Sequence, residues 1–270
     1  YLDKNKKPIE SIKKVDPNHL VMEAGGADRK ALIADPNIDI ISDHLYEYWN
    51  RLSGRPWELS PIAKASREEC KGKKPLMVDE FGLGSTENIR ELMKTIREEN
   101  IVGGLMWSIR AHRRDGGWYY HNEGGTTVNS FHFPGFSAGT VYEETRLLDL
   151  LRKEAFLIRG IAPEAVALPT PAPVMMQQGD GFTWHGSTGA AFYTIERSES
   201  AKGPWKVIAT GLEDSVLADV VKYESSADAS EPVILYYDES KIAGKKYFYR
   251  IKGENTAGSS GYSKVLTVGK

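Results

Sequence analysis

Residues 161–173, IAPEAVALPTPAP, divide the chain into two stretches that cannot share one architecture. Proline and alanine dominate the segment, which reads as a semi-stiff linker. Before it, short apolar runs alternate with helix-like stretches. After it, strand-like runs follow one another with no helical stretch between them. Two domains are therefore expected in the 270 residues, at 1–160 and 174–270.

The first stretch reads as a helix at 4–15, a strand at 19–24 (HLVMEA), a helix at 28–36 and a strand at 37–44 (NIDIISDH). A helix at 60–73 follows, with Ser60 at the N-cap and Pro61 at the first helical position. The strand PLMVDE comes next, then a helix at 85–100. In that helix Ser85 and Thr86 precede acids, and Ile89, Leu92, Met93 and Ile96 share one face. A fourth strand at 101–109 (IVGGLMWSI) and an amphipathic helix at 140–160 closed by Gly160 complete the pattern. Strands joined through helices of this length imply parallel βαβ units. Their apolar runs are continuous, as in strands covered on both faces. Glu23, His44 with Tyr46, Glu80 and Trp107 collect where the strands end, which is where parallel α/β folds carry their sites.

Beyond the linker come GFTWHG, AFYTIERS, WKVIAT, VILYYD, KYFYRIKGEN and SKVLTVG, with turn signals at Gly203–Pro204 and Ala243–Gly244. This is the pattern of a β-sandwich of about one hundred residues. Trp205 is expected to pack inside it.

A formal net charge of -2 argues against a nucleic-acid partner and against an anionic membrane surface. No stretch is long and apolar enough to span a bilayer. Cys70 is the one cysteine, which leaves neither a disulfide framework nor a cysteine-based metal site. The sequence opens at Tyr1 with no initiator methionine and no signal peptide, so it reads as a mature protein or a fragment. Six tryptophans and 13 tyrosines suit a flat-ligand site and suit a packed core equally.

The chemistry concentrates in KPLMVDEFGL, residues 74–83, where an apolar strand ends on Asp79 and Glu80. Glu80 either faces a pocket as a catalytic carboxylate or caps the next helix as a surface acid. Asp79 reads as its structural neighbour, paired to a backbone group or a nearby cation. His44 and Tyr46 are two apart, so in extended chain both point to one face. A tyrosine hydroxyl near Glu80 would hold the carboxylate ionised and oriented. Trp107 offers a flat apolar surface to a sugar ring, or packs as core. The segment 110–137 is long enough to suggest function. Its histidines, 112, 121 and 132, are nine and eleven apart, which is not zinc-ligand spacing, so no metal and no cofactor is expected.

DPNHLV, DHLYEYW, KPLMVDEFG, GLMWS, DGGWYYHNEG and FHFPGF occur in the order they take in the second half of a glycoside hydrolase family 5 catalytic domain. Residues 1–160 resemble that half, with the β-mannanase-like members as nearest kin. YFYRIKGENTAGSSGYSKV resembles the last strands of a fibronectin type III domain, with Tyr247 near the tyrosine corner and Trp184 in the core. The implied fold is α/β plus all-β: the C-terminal half of a (β/α)8 TIM barrel, four βα units, followed by a fibronectin type III-like β-sandwich. The implied activity is retaining hydrolysis of a β-1,4-linked polysaccharide, mannan first, outside the cell or in the periplasm. A non-catalytic glycan-binding half-barrel is the alternative. Glu80 maps onto the nucleophile and His44 and Tyr46 onto the His-x-Tyr beside it. Trp107 maps onto the tryptophan that ends the eighth strand, a sugar platform, and Trp118, His112, Trp49 and Glu23 are the further substrate-binding candidates.

Retaining hydrolysis needs a second carboxylate about 5–5.5 Å from the first. The family keeps it in an Asn-Glu pair at the end of the fourth strand. The one such pair here, Asn122–Glu123, follows the last strand instead. Glu23 and Glu123 are the internal substitutes. A full barrel takes about 250 residues, so the resemblance implies an N-terminal half on a separate chain or a missing segment. The chain alone is expected to be inactive or very weakly active.

Overall fold

Strand and helix alternate through α1 (Leu2–Val15), β1 (Met22–Glu23), α2 (Arg29–Ala34), β2 (Ile40–Tyr46), α3 (Glu47–Leu52), α4 (Leu59–Cys70), β3 (Leu76–Gly82), α5 (Thr86–Glu98) and β4 (Gly104–Met106). The computed structural model describes residues 2–23, 28–110, 121–123, 126–128, 131–132, 143–214 and 234–269. They fall into two units, Tyr1–Trp107 with Leu150–Ala162, and Ser108–Asp149 with Pro163–Lys270. In the first, the four strands form a parallel sheet in the order β1-β2-β3-β4, which fits a partial α/β barrel.

The helices cover one face of this sheet because their apolar residues recur at helical spacing. Ile89, Leu92, Met93 and Ile96 of α5 are all buried, and Ser85 caps that helix by accepting from the Asn88 amide at 3.3 Å. Leu76, Val78 and Phe81 of β3 are buried too. Gly104 lets α5 close on the sheet, since a Cβ there would meet Ile96 Cδ1 at 2.8 Å and Phe81 Cε1 at 3.1 Å. The other face is barer among the described residues. Leu105, next to Gly104 and so directed away from α5, is 55% exposed. Among the described residues β1 and β4 are each paired on one side only.

The start of α4 departs from expectation. The helix opens at Leu59, with Glu58 at the N-cap, so Ser60 lies inside the first turn. Its hydroxyl joins Thr95 Oγ1 of α5 at 2.7 Å, and the orphan amide of Leu59 is taken by Asn88 Oδ1 at 2.9 Å. A side chain from the neighbouring helix thus does the work that a local cap does elsewhere.

Short strands β5 (Ile109–Arg110), β6 (His121–Glu123), β7 (Thr126–Val128) and β8 (Phe131–His132) lie in the segment read from sequence as loop. β6 and β7 pair antiparallel, with Glu123 opposite Thr126. Helix α6 (Glu144–Ile158) follows, with Gly160 at positive φ beyond it.

In the second unit the antiparallel strands β9 (Val174–Gln178), β10 (Gly181–His185), β11 (Phe192–Ser198), β12 (Lys206–Leu212), β13 (Tyr247–Asn255), β14 (Gly258–Ser259) and β15 (Leu266–Val268) fit a β-sandwich. β9 and β10 form a hairpin. β12-β11-β13-β14, with β15 also on β13, form the larger sheet. Alternation in β11 and β13 turns Tyr193, Ile195, Tyr247, Tyr249 and Ile251 onto Trp184, Phe182 and Met175. VILYYD does not become a strand in its described part. It makes one bridge, Tyr236 to Phe182. Two further expectations change. The hydroxyl that bonds back to upstream backbone is that of Tyr193, accepting from the Ser187 amide at 3.0 Å, whereas Tyr247 lies under the Arg197 guanidinium at 4.5 Å. Trp205 stands outside the core cluster, 4.3 Å from the Arg250 guanidinium. Arg250 in turn pairs with Glu196 at 2.6 Å.

Candidate active site

Strand β3 ends irregularly, and the irregularity makes the site. Against β2, Ser42 pairs with Met77 and His44 with Glu80, so two steps on β2 match three on β3. Against β4, Val78 pairs with Gly104 and Phe81 with Met106, again three against two. The β2 pairing places one extra β3 residue between Met77 and Glu80, and the β4 pairing places one between Val78 and Phe81. This is a β-bulge at Asp79–Glu80, a device that re-aims side chains at sheet rims.

The bulge sets Glu80 directly across from His44 and within reach of Tyr46. The Tyr46 hydroxyl donates to Glu80 Oε2 at 2.5 Å. His44 Nδ1 lies 3.2 Å from that same oxygen, and His44 Nε2 lies 3.4 Å from Asp79 Oδ2. The three side chains differ in access: His44 is 35% exposed, Glu80 27% and Asp79 10%. Glu80 is thus held at one oxygen while its side chain stays part-exposed.

The next turn is fixed by Glu47, the buried first residue of α3. It accepts from the Ser85 amide, the Asn88 side-chain amide and Arg51 Nε, each at 2.9 Å. Burial pushes its carboxyl up, but the bonds from Asn88, Ser85 and Arg51 outweigh that and hold it below the ordinary carboxylate range. Gly84 permits this approach, since a Cβ there would stand 3.0 Å from Glu47 Oε2. Arg51 also lies over the exposed ring of Trp57, 3.6 Å from its centroid. Sequence reasoning missed Glu47 and Asn88 because they meet across 41 residues, and Trp57 because nothing in its neighbourhood marks the Arg51 stack. The only local signal was an acid one residue beyond Tyr46.

Trp107 is seated by backbone. Its amide donates to the Phe81 carbonyl at 2.7 Å, and its own carbonyl lies 2.2 Å from where a Cβ on Gly82 would be. Only glycine fits there, so the chain after β4 presses on the residue two beyond Glu80. Trp49 lies in α3 against Tyr48, ring centroids 4.9 Å apart. Glu23 ends β1, and its carbonyl accepts from Ser42 Oγ at 2.6 Å. The structure thus brings His44, Tyr46 and Glu80 together and adds Asp79. His112 and Trp118 lie outside the described residues, as does the side chain of Glu123. Among the described residues no group of three His, Cys, Asp or Glu side chains is arranged to hold a metal.

No protein-family profile and no curated protein sequence matches the chain. Among solved structures, the endo-1,4-β-mannanase from Rhizomucor miehei is similar at 24% identity and TM-score 0.31, over 38% of this chain and 36% of that one. The endo-β-1,4-mannanase from Thermotoga petrophila is similar at 14% identity and TM-score 0.41, over 98% of this chain and 60% of that one. An Fn3-like protein from Clostridium thermocellum is similar at 23% identity and TM-score 0.25, over 38% of this chain and 92% of that one. The chain spans 36% of the first mannanase and 60% of the second.

Proposed function

We propose that the chain carries the nucleophile side of a retaining glycoside hydrolase site for a β-1,4-linked polysaccharide, with mannan the first candidate. One observation carries the reading: a part-exposed Glu80 carboxylate, re-aimed by a bulge at a parallel-strand end, takes the Tyr46 hydroxyl at 2.5 Å. The ordered sequence motifs support it independently. In the reaction, a Glu80 oxygen attacks the anomeric carbon as the glycosidic C–O bond breaks, and a glycosyl ester forms. Water then cleaves that ester with net retention. Tyr46 holds Glu80 Oε2 and so orients the carboxylate. Trp107 and Trp49 supply sugar-stacking surface.

The leaving oxygen needs a proton from a second carboxyl, which we assign to the N-terminal half of the barrel, borne on another segment or chain. Substrates with acidic leaving groups do not need that proton, which provides the test. A dinitrophenyl 2-deoxy-2-fluoro-β-mannoside should leave a stable adduct on the peptide bearing Glu80, and Glu80→Gln should leave none. Mannan itself should release no reducing sugar with this chain alone. Saturable glycan binding with no adduct would instead favour the glycan-binding alternative. Mannan hydrolysis that Glu80→Gln abolishes would sink the claim that the second half is required.

A further inference from the structure

Consecutive residues of a strand normally face opposite sides. Asp79 and Glu80 are consecutive, yet both meet one ring: Asp79 Oδ2 lies 3.4 Å from His44 Nε2, and Glu80 Oε2 lies 3.2 Å from His44 Nδ1. The extra residue in β3 makes this possible. Two carboxylates flanking one neutral imidazole would repel each other with no compensating charge. An imidazolium between them attracts both, and each ring nitrogen then carries a proton towards an acid. Asp79 needs that compensation most, because its side chain is 10% exposed and its Oδ1 has no hydrogen-bond partner among the described residues. A buried carboxylate is retained only with a counter-charge or donors. Among the described residues, the charged or titratable groups that meet the His44 ring are Asp79 and Glu80, both from β3. Tyr46 acts on it through their shared oxygen, Glu80 Oε2.

We infer that Asp79 is a positioning residue for Glu80 that acts through His44. Asp79 faces Nε2 of the ring while Glu80 faces Nδ1, so the acid on one edge bears on how the ring meets the acid on the other. The ring and the Tyr46 hydroxyl both meet Glu80 Oε2, which makes Glu80 Oε1 the oxygen that acts. The bulge is what enlists the second acid of the pair. This assignment rests on the glycosidase reading only for what Glu80 does, and the coupling of the three side chains stands without it.

The test is a pH titration of the His44 ring by nitrogen-15 and proton NMR on the full chain, with His44→Asn to assign the signal. The ring in Asp79→Asn should lose its second proton at a pH lower by about one unit than in the wild-type protein. Glu80→Gln should move it the same way. Equal titration in wild type and Asp79→Asn would overturn the inference. A second measurement needs no variant that must fold: the Asp79 carboxyl carbon-13 signal of the wild type should show an inflection where His44 titrates, and its absence would also overturn the inference. Labelling by the fluoromannoside separates the two proposals. A shifted His44 titration with no adduct on Glu80 keeps the positioning role and sinks the glycosidase reading. An adduct on Glu80 with an unshifted titration does the reverse.

Discussion

In the α/β unit Tyr46 gives its hydroxyl to Glu80 at 2.5 Å, while in the β unit Tyr193 and Tyr249 give theirs to Asp214 and Asp238 at 3.0 and 2.9 Å. The donor and acceptor chemistry is the same, and the surroundings are opposite. Asp214 and Asp238 are buried, and Asp238 is saturated by Arg197 at 2.7 Å and Ser240 Oγ at 2.7 Å besides Tyr249. Burial pushes the Asp238 carboxyl up, but the donors Ser240, Tyr249 and Arg197 outweigh it and hold it low. Burial beside these acids pushes the hydroxyls of Tyr193 and Tyr249 well above their ordinary value. Glu80 instead keeps an open side. Solvent access, more than the pair itself, separates a strut from a site.

Stability measurements test that contrast most severely at Asp238. Asp238→Ala removes the buried acceptor shared by the part-buried Arg197 and by Tyr249, and should cost about 3–5 kcal/mol in urea unfolding. Glu80→Gln should cost less than about 1 kcal/mol, because the amide oxygen still accepts from Tyr46 and the site is part-exposed. Equal costs would erase the distinction. Gly82→Ala should come next, at about 1–3 kcal/mol, because its methyl must displace the Trp107 carbonyl. Under the proposed function the same variant should also weaken glycan binding measured by calorimetry.

Glu47 sharpens the contrast within the α/β unit, since it is a strut one residue from Tyr46. Glu47→Gln should cost about 1–3 kcal/mol at neutral pH through lost charge-assisted bonds. Because the folded-state carboxyl is held below its ordinary 4.5, its contribution is fully present above that value. It disappears as pH falls through the depressed one. The gap in unfolding free energy between wild type and Glu47→Gln should therefore narrow in acid, and a gap independent of pH would refute the assignment. The smallest effect belongs to Trp205→Ala, about 0.5–1 kcal/mol, because only a part-exposed stack on Arg250 is lost.

Much of this was legible in the chain. The α5 face at Ile89, Leu92, Met93 and Ile96, its Ser85 cap and the strand over Leu76–Val78 follow from periodicity and capping chemistry, which are local. The spacing of His44 and Tyr46 placed both on one side of β2, and both meet Glu80. The cap of α4 was misread because the acceptor for the Leu59 amide, Asn88 Oδ1, comes from 29 residues away. Trp205 was misread because size and apolarity do not say which face of a sheet a ring lies on. Packing against Arg250 decided that.

The sequence by itself determined the two architectures, their order and the acid pair at the end of one strand, because helical and strand periods are written in neighbouring residues. Only the tertiary structure decided what the acid pair meets. Alternation along the strand would send Asp79 and Glu80 to opposite faces. The bulge appears only when β3 is laid against both β2 and β4, whose pairings force one extra residue into three positions. That register is a property of three strands together, and it is what turns two adjacent carboxylates onto one histidine.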